Sequence, residues 1–429
     1  MTYKYASFIY EGYHFDEHSK ELKLNYSFQN GPSFTESYKF DFEFAEYDQN
    51  ALSYALEILN LIAGVSYFKA YLAEQLVVNQ SKVDDILSSF LSSTYQKGLG
   101  EFLYINKLDP STQFEFKVNS GEQPAILVNN KGLLIGVGGG KDSLVAIEAV
   151  KKTGIEFATW SLGHKNQLQP LVKRIGSKHL WVSRNIDPQI IEINNQQDSF
   201  NGHIPISAIF AAVGTVVAIL AGYRDVVVSN EASADEPTLE YKGHKINHQY
   251  SKSSEFESGF QQLLKSRFGE SIRYYSLLRP FSELYISEKF CRESFDKYRD
   301  VFSSCNKAFR QNSDKLFWDG TCPKCAFIFL AFSPFIERGK LESLFEGKNL
   351  LLDEKLSETY KNLLGIEGEK PLECVGEIKE SRSAMDLAKQ QYGELEKYSY
   401  DIPSNYDYRQ KRSHQIPADI YEEVSSYLD

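Results

Sequence analysis

Leu133-Leu134-Ile135-Gly136-Val137-Gly138-Gly139-Gly140-Lys141-Asp142-Ser143 is the stretch on which the fold turns. A short apolar run bounded by glycine reads as a buried strand, and Ser143 to Lys152 reads as the helix after it. A strand entering a glycine-rich turn and then a helix makes an anion site. Glycine lets backbone N–H groups approach phosphate oxygens, and the helix N-terminus carries about half a positive charge. Two familiar phosphate loops are excluded by spacing. A Walker A loop needs Ser or Thr after Gly-Lys, but Gly140-Lys141 is followed by Asp142. A dinucleotide fingerprint needs Gly-x-Gly-x-x-Gly, and counted from Gly136 its last position is Lys141. A tight turn needing glycine only for geometry would not ask for Asp-Ser as well.

From this loop outward, strand and helix patterns alternate. Ile155 to Trp160, His179 to Ser183 and Asp225 to Ser229 read as strands. Such alternation predicts an α/β fold with a parallel sheet and helices on both faces. Ile204 to Gly222 is apolar enough to mimic a membrane span. It holds Pro205, Ser207, Gly214 and Thr215 and runs straight into a strand, so a buried helix is expected and no membrane partner. Upstream, Leu22 to Phe28 and Tyr38 to Phe44 alternate apolar with polar around the turn Asn30-Gly31-Pro32-Ser33, which predicts antiparallel strands. Ala51 to Leu72 carries an apolar helical face, and Val83 to Leu99 repeats it more weakly. Three regions are expected: an α+β N-terminal domain over 1–130, a catalytic domain over 131–338, and a mostly helical C-terminal region over 339–429.

The 429 residues carry a formal charge of -11 and show no Lys/Arg run. Nucleic acid is therefore an unsuitable partner, because phosphate contacts dominate that affinity. Met1-Thr2-Tyr3-Lys4-Tyr5 lacks the charged-then-apolar pattern of a secretory signal. Five cysteines in so long a chain make no disulfide framework, so a reducing cytoplasm is expected. Oligomeric state is not legible.

Gly138-Gly139-Gly140-Lys141-Asp142-Ser143 resembles the ATP-pyrophosphatase loop, usually Ser-Gly-Gly-x-Asp-Ser, with Gly138 at the position of the first Ser. The resemblance implies an adenine nucleotide alpha-hydrolase-like core that binds ATP. Lys141 and Ser143 would add donors, and Asp142 would be a hard oxygen ligand for Mg2+. Trp160 stands where adenine lies in that fold class, with ordinary strand packing as its equal alternative.

A second polar signature follows the Val226 strand: Asn230-Glu231-Ala232-Ser233-Ala234-Asp235-Glu236, then Asn247-His248-Gln249-Tyr250-Ser251-Lys252-Ser253. Ligands in parallel sheets bind beyond the carboxyl ends of strands, so this cluster should face the phosphate loop. Together with Leu278-Arg279-Pro280-Phe281-Ser282-Glu283, Ser304-Cys305-Asn306-Lys307-Ala308-Phe309-Arg310 and Cys322-Pro323-Lys324-Cys325, the chain from Gly132 to about Pro334 resembles the UDP-N-acetylmuramoyl-L-alanyl-L-glutamate epimerases of bacterial cell-wall synthesis. Ala232 stands where an Arg is expected.

The resemblance implies an isomerase that takes a UDP-muramoyl dipeptide, adenylates its terminal L-glutamate and inverts it to D-glutamate, releasing AMP and pyrophosphate. His248 and Lys252 are the candidate proton carriers, on one face if their segment is helical. Glu231 and Asp235 would orient a base or bind magnesium, as Glu236 could. Asn230, Ser233, Glu236 and Asn247 are candidate substrate contacts, and Arg279 and Arg310 candidate bidentate grips on phosphate or carboxylate. A solvated, capped polar loop and surface salt bridges are the plain alternatives.

Cys322-Pro323-Lys324-Cys325, with Cys305 upstream, leaves a Zn2+ site open but not favoured, since structural zinc takes four ligands, commonly in two spaced pairs. Two cysteines buried at a helix start fit the apolar run Phe327 to Phe332 better. Competing with the epimerase are another carboxylate-adenylating ATP pyrophosphatase, such as an amide ligase or a deazapurine nitrile synthase, and a nucleotide-sensing domain without chemistry.

Overall fold

The computed structural model describes residues 3–309, 315–393, 395, 398–403 and 405–429. β1 (Ser7–Asp16), β2 (Glu21–Phe28) and β3 (Ser33–Asp41) form an antiparallel meander, and β4 (Gln75–Val78) pairs parallel with β1. β5 (Leu133–Gly136), β6 (Phe157–Leu162), β7 (His179–Asn185), β8 (Asp225–Val228) and β11 (Arg273–Ser276) form a parallel set. β9 (Leu239–Tyr241) and β10 (His244–Ile246) make a separate small hairpin.

One nine-stranded sheet runs in the order β11-β8-β5-β6-β7-β3-β2-β1-β4. The antiparallel register of β3 on β7, with Phe40 opposite Val182, joins the N-terminal meander to the parallel half. The protein is thus α/β with a large, mostly parallel sheet. Both expected N-terminal strands are present, but β3 ends at Asp41, so Phe42 and Phe44 lie outside it. β1 was not legible, because its alternation breaks at a register shift between Tyr10 and Gly12, where Gly12 takes φ +109°.

The hydrophobic cores follow the two faces of the sheet, crossing residues 130 and 339. One face packs the N-terminal strands and helix Gln49–Ala63 with helices Ile206–Ala221 and Ser254–Phe268. The other packs helices Lys141–Lys151, Glu283–Glu293 and Pro323–Phe332 with the C-terminal helices Ile378–Lys389 and Ala418–Leu428. The Gln49–Phe68 stretch matches a membrane span in length and composition, yet 83% of its apolar window is buried inside the fold. Helix Ile206–Ala221 is likewise buried and feeds β8, as its sequence suggested.

Gly214 sets how closely that helix approaches the sheet. A Cβ there would come within 2.8 Å of Val226 and 3.0 Å of the Trp160 ring. Gly214→Val should therefore cost about 1–3 kcal/mol by overpacking, read as a lower midpoint in urea unfolding. An unchanged midpoint would mean that the helix can retreat freely.

Candidate active site

The phosphate loop leaves β5 and enters helix Lys141–Lys151, with Gly140 as an N-cap that has no side-chain cap bond. Gly139 has φ +90°, and a Cβ on it would meet the Phe309 ring at 3.0 Å, so this position requires glycine. A Cβ at Gly138 would meet nothing within 4 Å, which leaves room for a ligand against the backbone. Ser303 donates its N–H to the Gly139 carbonyl at 3.1 Å, and Ser304 Oγ accepts from the Lys141 N–H at 3.4 Å. Ser143 Oγ donates to the Gly140 carbonyl at 3.2 Å.

The chain runs from β5 to β6 and β7 on one side, then returns to β8 on the other side of β5. The loops after β5 and β8 therefore part at a topological switch point, where ligand sites form in parallel sheets. Asp142 comes from the first loop and Glu231 from the second. Glu283 joins them from the start of helix Glu283–Glu293, where Ser282 accepts from the Tyr285 N–H at 3.0 Å as the N-cap. One carboxylate oxygen from each of Asp142, Glu231 and Glu283 lies within 4.8 Å of the other two.

The charges around this trio are graded. Burial pushes the Glu283 carboxyl up, but Lys141 at 3.0 Å and Lys324 at 3.1 Å outweigh it and bring the group to about 2. Burial and the neighbouring Glu283 push Glu231 above the ordinary carboxylate range. A divalent cation would relieve that repulsion, and three hard oxygen donors suit magnesium. Lys141 departs from expectation. Its side chain is fully buried and paired with Asp142 and Glu283, so it neutralises acids instead of reaching toward a phosphate. Sequence reasoning gave no role to Glu283 or Lys324, although both lie in the quoted motifs. Their pairing spans 41 residues and leaves no local pattern.

Behind the trio lies a second cluster. Lys252 Nζ sits 3.4 Å from Cys374 Sγ, and His248 Nε2 lies 4.0 Å from the same sulfur. His248 Nδ1 is hydrogen-bonded to Glu101, and the His203 ring lies 4.5 Å from the His248 ring. Burial lowers His248, but Cys374 and Glu101 outweigh it and hold the imidazole at about 9. Lys252 is held above its ordinary range, chiefly by Cys374. His248 lies in a turn and Lys252 in the short 3-10 segment Tyr250–Lys252, so tertiary packing and not a shared helix face brings them together.

Arg279 is a correction. It is 2% exposed, and its guanidinium donates to Glu257 at 2.9 Å, to the Glu231 carbonyl at 2.7 Å and to the Lys252 carbonyl. With its donors so engaged it cannot grip a substrate anion. Instead it ties the Glu231 loop to the Lys252 turn, which makes the two clusters neighbours.

Other candidates also have protein partners. Ser233 Oγ accepts from the Glu283 N–H at 3.1 Å and bonds Glu380. Asn247 donates to the Ala234 carbonyl at 2.8 Å and accepts from the Gln249 N–H at 2.7 Å. Asp235 accepts from the Ser254 N–H at 2.6 Å, and Glu236 pairs with Lys370 at 2.6 Å. The Asn230 carbonyl accepts from Ser276 Oγ at 2.6 Å. Trp160 is 5% exposed and packed against Gly136 and Gly214. Arg310 lies outside the described residues.

Cys305, Cys322 and Cys325 are all buried at the start of helix Pro323–Phe332, with Cys305 and Cys322 sulfurs 3.8 Å apart and all three within 4.8 Å. They form a sulfur set one donor short of a structural zinc site.

Residues 1–277 match the family model described as the MurL N-terminal domain, and residues 301–399 match the MurL C-terminal domain. The chain belongs to the MurL family. Three relatives in that family carry the name UDP-N-acetyl-alpha-D-muramoyl-L-alanyl-L-glutamate epimerase. The protein from Xanthomonas oryzae pv. oryzae is 38% identical over 84% of this chain and 81% of its own length. That from Micromonospora sp. is 38% identical over 79% and 76%. That from Salinispora tropica is 38% identical over 80% and 74%. In MurL terms, the carboxylate trio draws on the N-terminal domain match for Asp142 and Glu231. Cys374 and Lys324 belong to the C-terminal match.

Proposed function

We propose that this MurL-family chain is an ATP-dependent epimerase with an ATP-pyrophosphatase core. It adenylates the terminal carboxylate of UDP-N-acetylmuramoyl-L-alanyl-L-glutamate, inverts the L-glutamate to D-glutamate, and releases AMP and pyrophosphate in the cytoplasm. The convergence of Asp142 and Glu231 beside the open glycine loop carries this reading. The names of the relatives support the substrate.

A free carboxylate makes its α-proton very hard to remove, since the carbanion would sit beside a negative charge. Attack of that carboxylate on the α-phosphorus of ATP gives a mixed anhydride and pyrophosphate. The anhydride carbonyl then delocalises the carbanion as an enolate. Gly138 to Gly140 cradle phosphate oxygens with backbone N–H groups at a helix N-terminus. Asp142 and Glu231, with Glu283 behind them, would hold Mg2+, which supplies positive charge to the phosphates. The cluster of Lys252, His248 and Cys374 serves proton transfer, and water hydrolyses the adenylate after inversion. No step passes through Cys305, Cys322 or Cys325.

An epimerase must break the α-C–H bond, whereas an amide ligase need not. In heavy water the D-glutamate product should therefore carry deuterium at its α-carbon, read by mass spectrometry after chiral separation. Product without α-deuterium, under conditions that consume ATP, would sink the epimerase reading and favour ligation.

A further inference from the structure

We infer that Cys374 is the base that takes the α-proton of the activated glutamate, with Lys252 and His248 as the groups that position and charge its sulfur. The inference rests on the epimerase reading above, and deepens it by naming the reacting atom.

Lys252 and His248 do not face each other across a gap. Both approach one sulfur, Lys252 Nζ at 3.4 Å and His248 Nε2 at 4.0 Å. Glu101 bonds the far nitrogen of His248 and so fixes the ring toward the thiol. An ammonium and an oriented imidazole beside a thiol are the surroundings that make a cysteine reactive. As a residue Cys374 keeps some exposure, while Cys305, Cys322 and Cys325 are buried. Its place is suitable as well. The Arg279 guanidinium bonds the backbone carbonyls of both Glu231 and Lys252, and the Lys252 ammonium beside the thiol feels the charges of Glu231 and Asp142.

The charges agree with the geometry. Burial pushes the Cys374 thiol up, but Lys252, His248 and Lys324 outweigh it and bring the thiol to about 7. A proton carrier works best with a pKa near the working pH. The step balances without any redox change. The thiolate sulfur takes the α-proton and becomes a thiol, and the C–H electron pair moves into the enolate of the acyl adenylate. A Brønsted acid on the opposite face then protonates the α-carbon. The Cys374 thiol then gives its proton to solvent, and the Lys252 and His248 cations stabilise the thiolate that remains.

The test compares native protein with Cys374→Ala and Cys374→Ser in heavy water, reading pyrophosphate release and α-deuterium separately. In a single turnover both variants should still form pyrophosphate, because adenylation precedes proton removal. They should lose α-exchange and inversion by at least ~10²-fold. Iodoacetamide labelling of Cys374 in native protein should rise with a midpoint at about 7. In Lys252→Met the midpoint should move toward the ordinary thiol range of about 8.5. Native-like α-exchange in Cys374→Ala would overturn the inference, as would loss of first-turnover pyrophosphate release together with exchange. Native protein that inverts without forming pyrophosphate would sink the adenylation reading alone, since exchange still reports on Cys374. Native protein with no exchange at all overturns both.

Discussion

Asp142→Ala protein is expected to fold and to lose pyrophosphate formation by roughly 10²–10³-fold, the usual scale for removing one preorganised electrostatic group at a reacting phosphate or oxyanion. Asp142 is the most solvent-accessible member of the trio, with a side chain 29% exposed, so its truncation opens no large cavity. Its loss leaves Glu231, pushed up by burial and by Glu283, as a poor magnesium ligand by itself. Added magnesium should restore little activity. Phosphate detection after inorganic pyrophosphatase treatment reads the rate, and circular dichroism checks the fold. Native rates in a folded Asp142→Ala protein would remove the glycine loop from the chemistry.

The other large effect is on stability. Glu283 is 1% exposed and holds two buried ammonium groups, Lys141 at 3.0 Å and Lys324 at 3.1 Å. Removing one partner of a buried ion pair leaves charge without compensation, so Glu283→Ala should lose about 3–5 kcal/mol in urea unfolding. Glu283→Gln keeps the shape and should lose less. The pH dependence has a definite direction. Lys141 and Lys324 hold the Glu283 carboxyl, against burial, at about 2, below the ordinary carboxylate value. Its contribution is therefore complete above about pH 4.3 and is lost as the pH falls toward the folded-state value. The gap between native and Glu283→Gln protein should narrow over that range and stay constant at higher pH. A constant gap down to the acid limit would show that Glu283 acts by shape and not by charge.

These two residues differ in how they could be read. Asp142 was legible because its signal is local: a strand, a glycine turn and a helix start put it at the loop within one short stretch. Glu231 was legible by rule, since it follows a strand of the parallel sheet and ligands gather at strand ends. Glu283 was quoted within a motif yet had no role, because only its distance to Lys141 and Lys324 reveals one. Arg279 was misread for the same reason. An arginine in a polar motif suggests an anion grip, and nothing local announces that Glu257 and two carbonyls will take its donors.

The sequence by itself determined the strand-loop-helix unit, the glycine required at Gly139, the alternation that makes an α/β sheet, and the buried character of Ile206–Ala221. All of these depend on backbone dihedrals and hydrophobic period, which act over a few residues. Only the tertiary structure decided that β3 joins β7, that Lys141 turns inward to Glu283, and that Cys374 meets Lys252 across 122 residues while Glu101 meets His248 across 147. Such meetings are settled by which faces of the sheet and helices bury together. No periodicity along the chain encodes that choice, because the free energy of burial depends on area removed from water and not on the order of the residues that supply it.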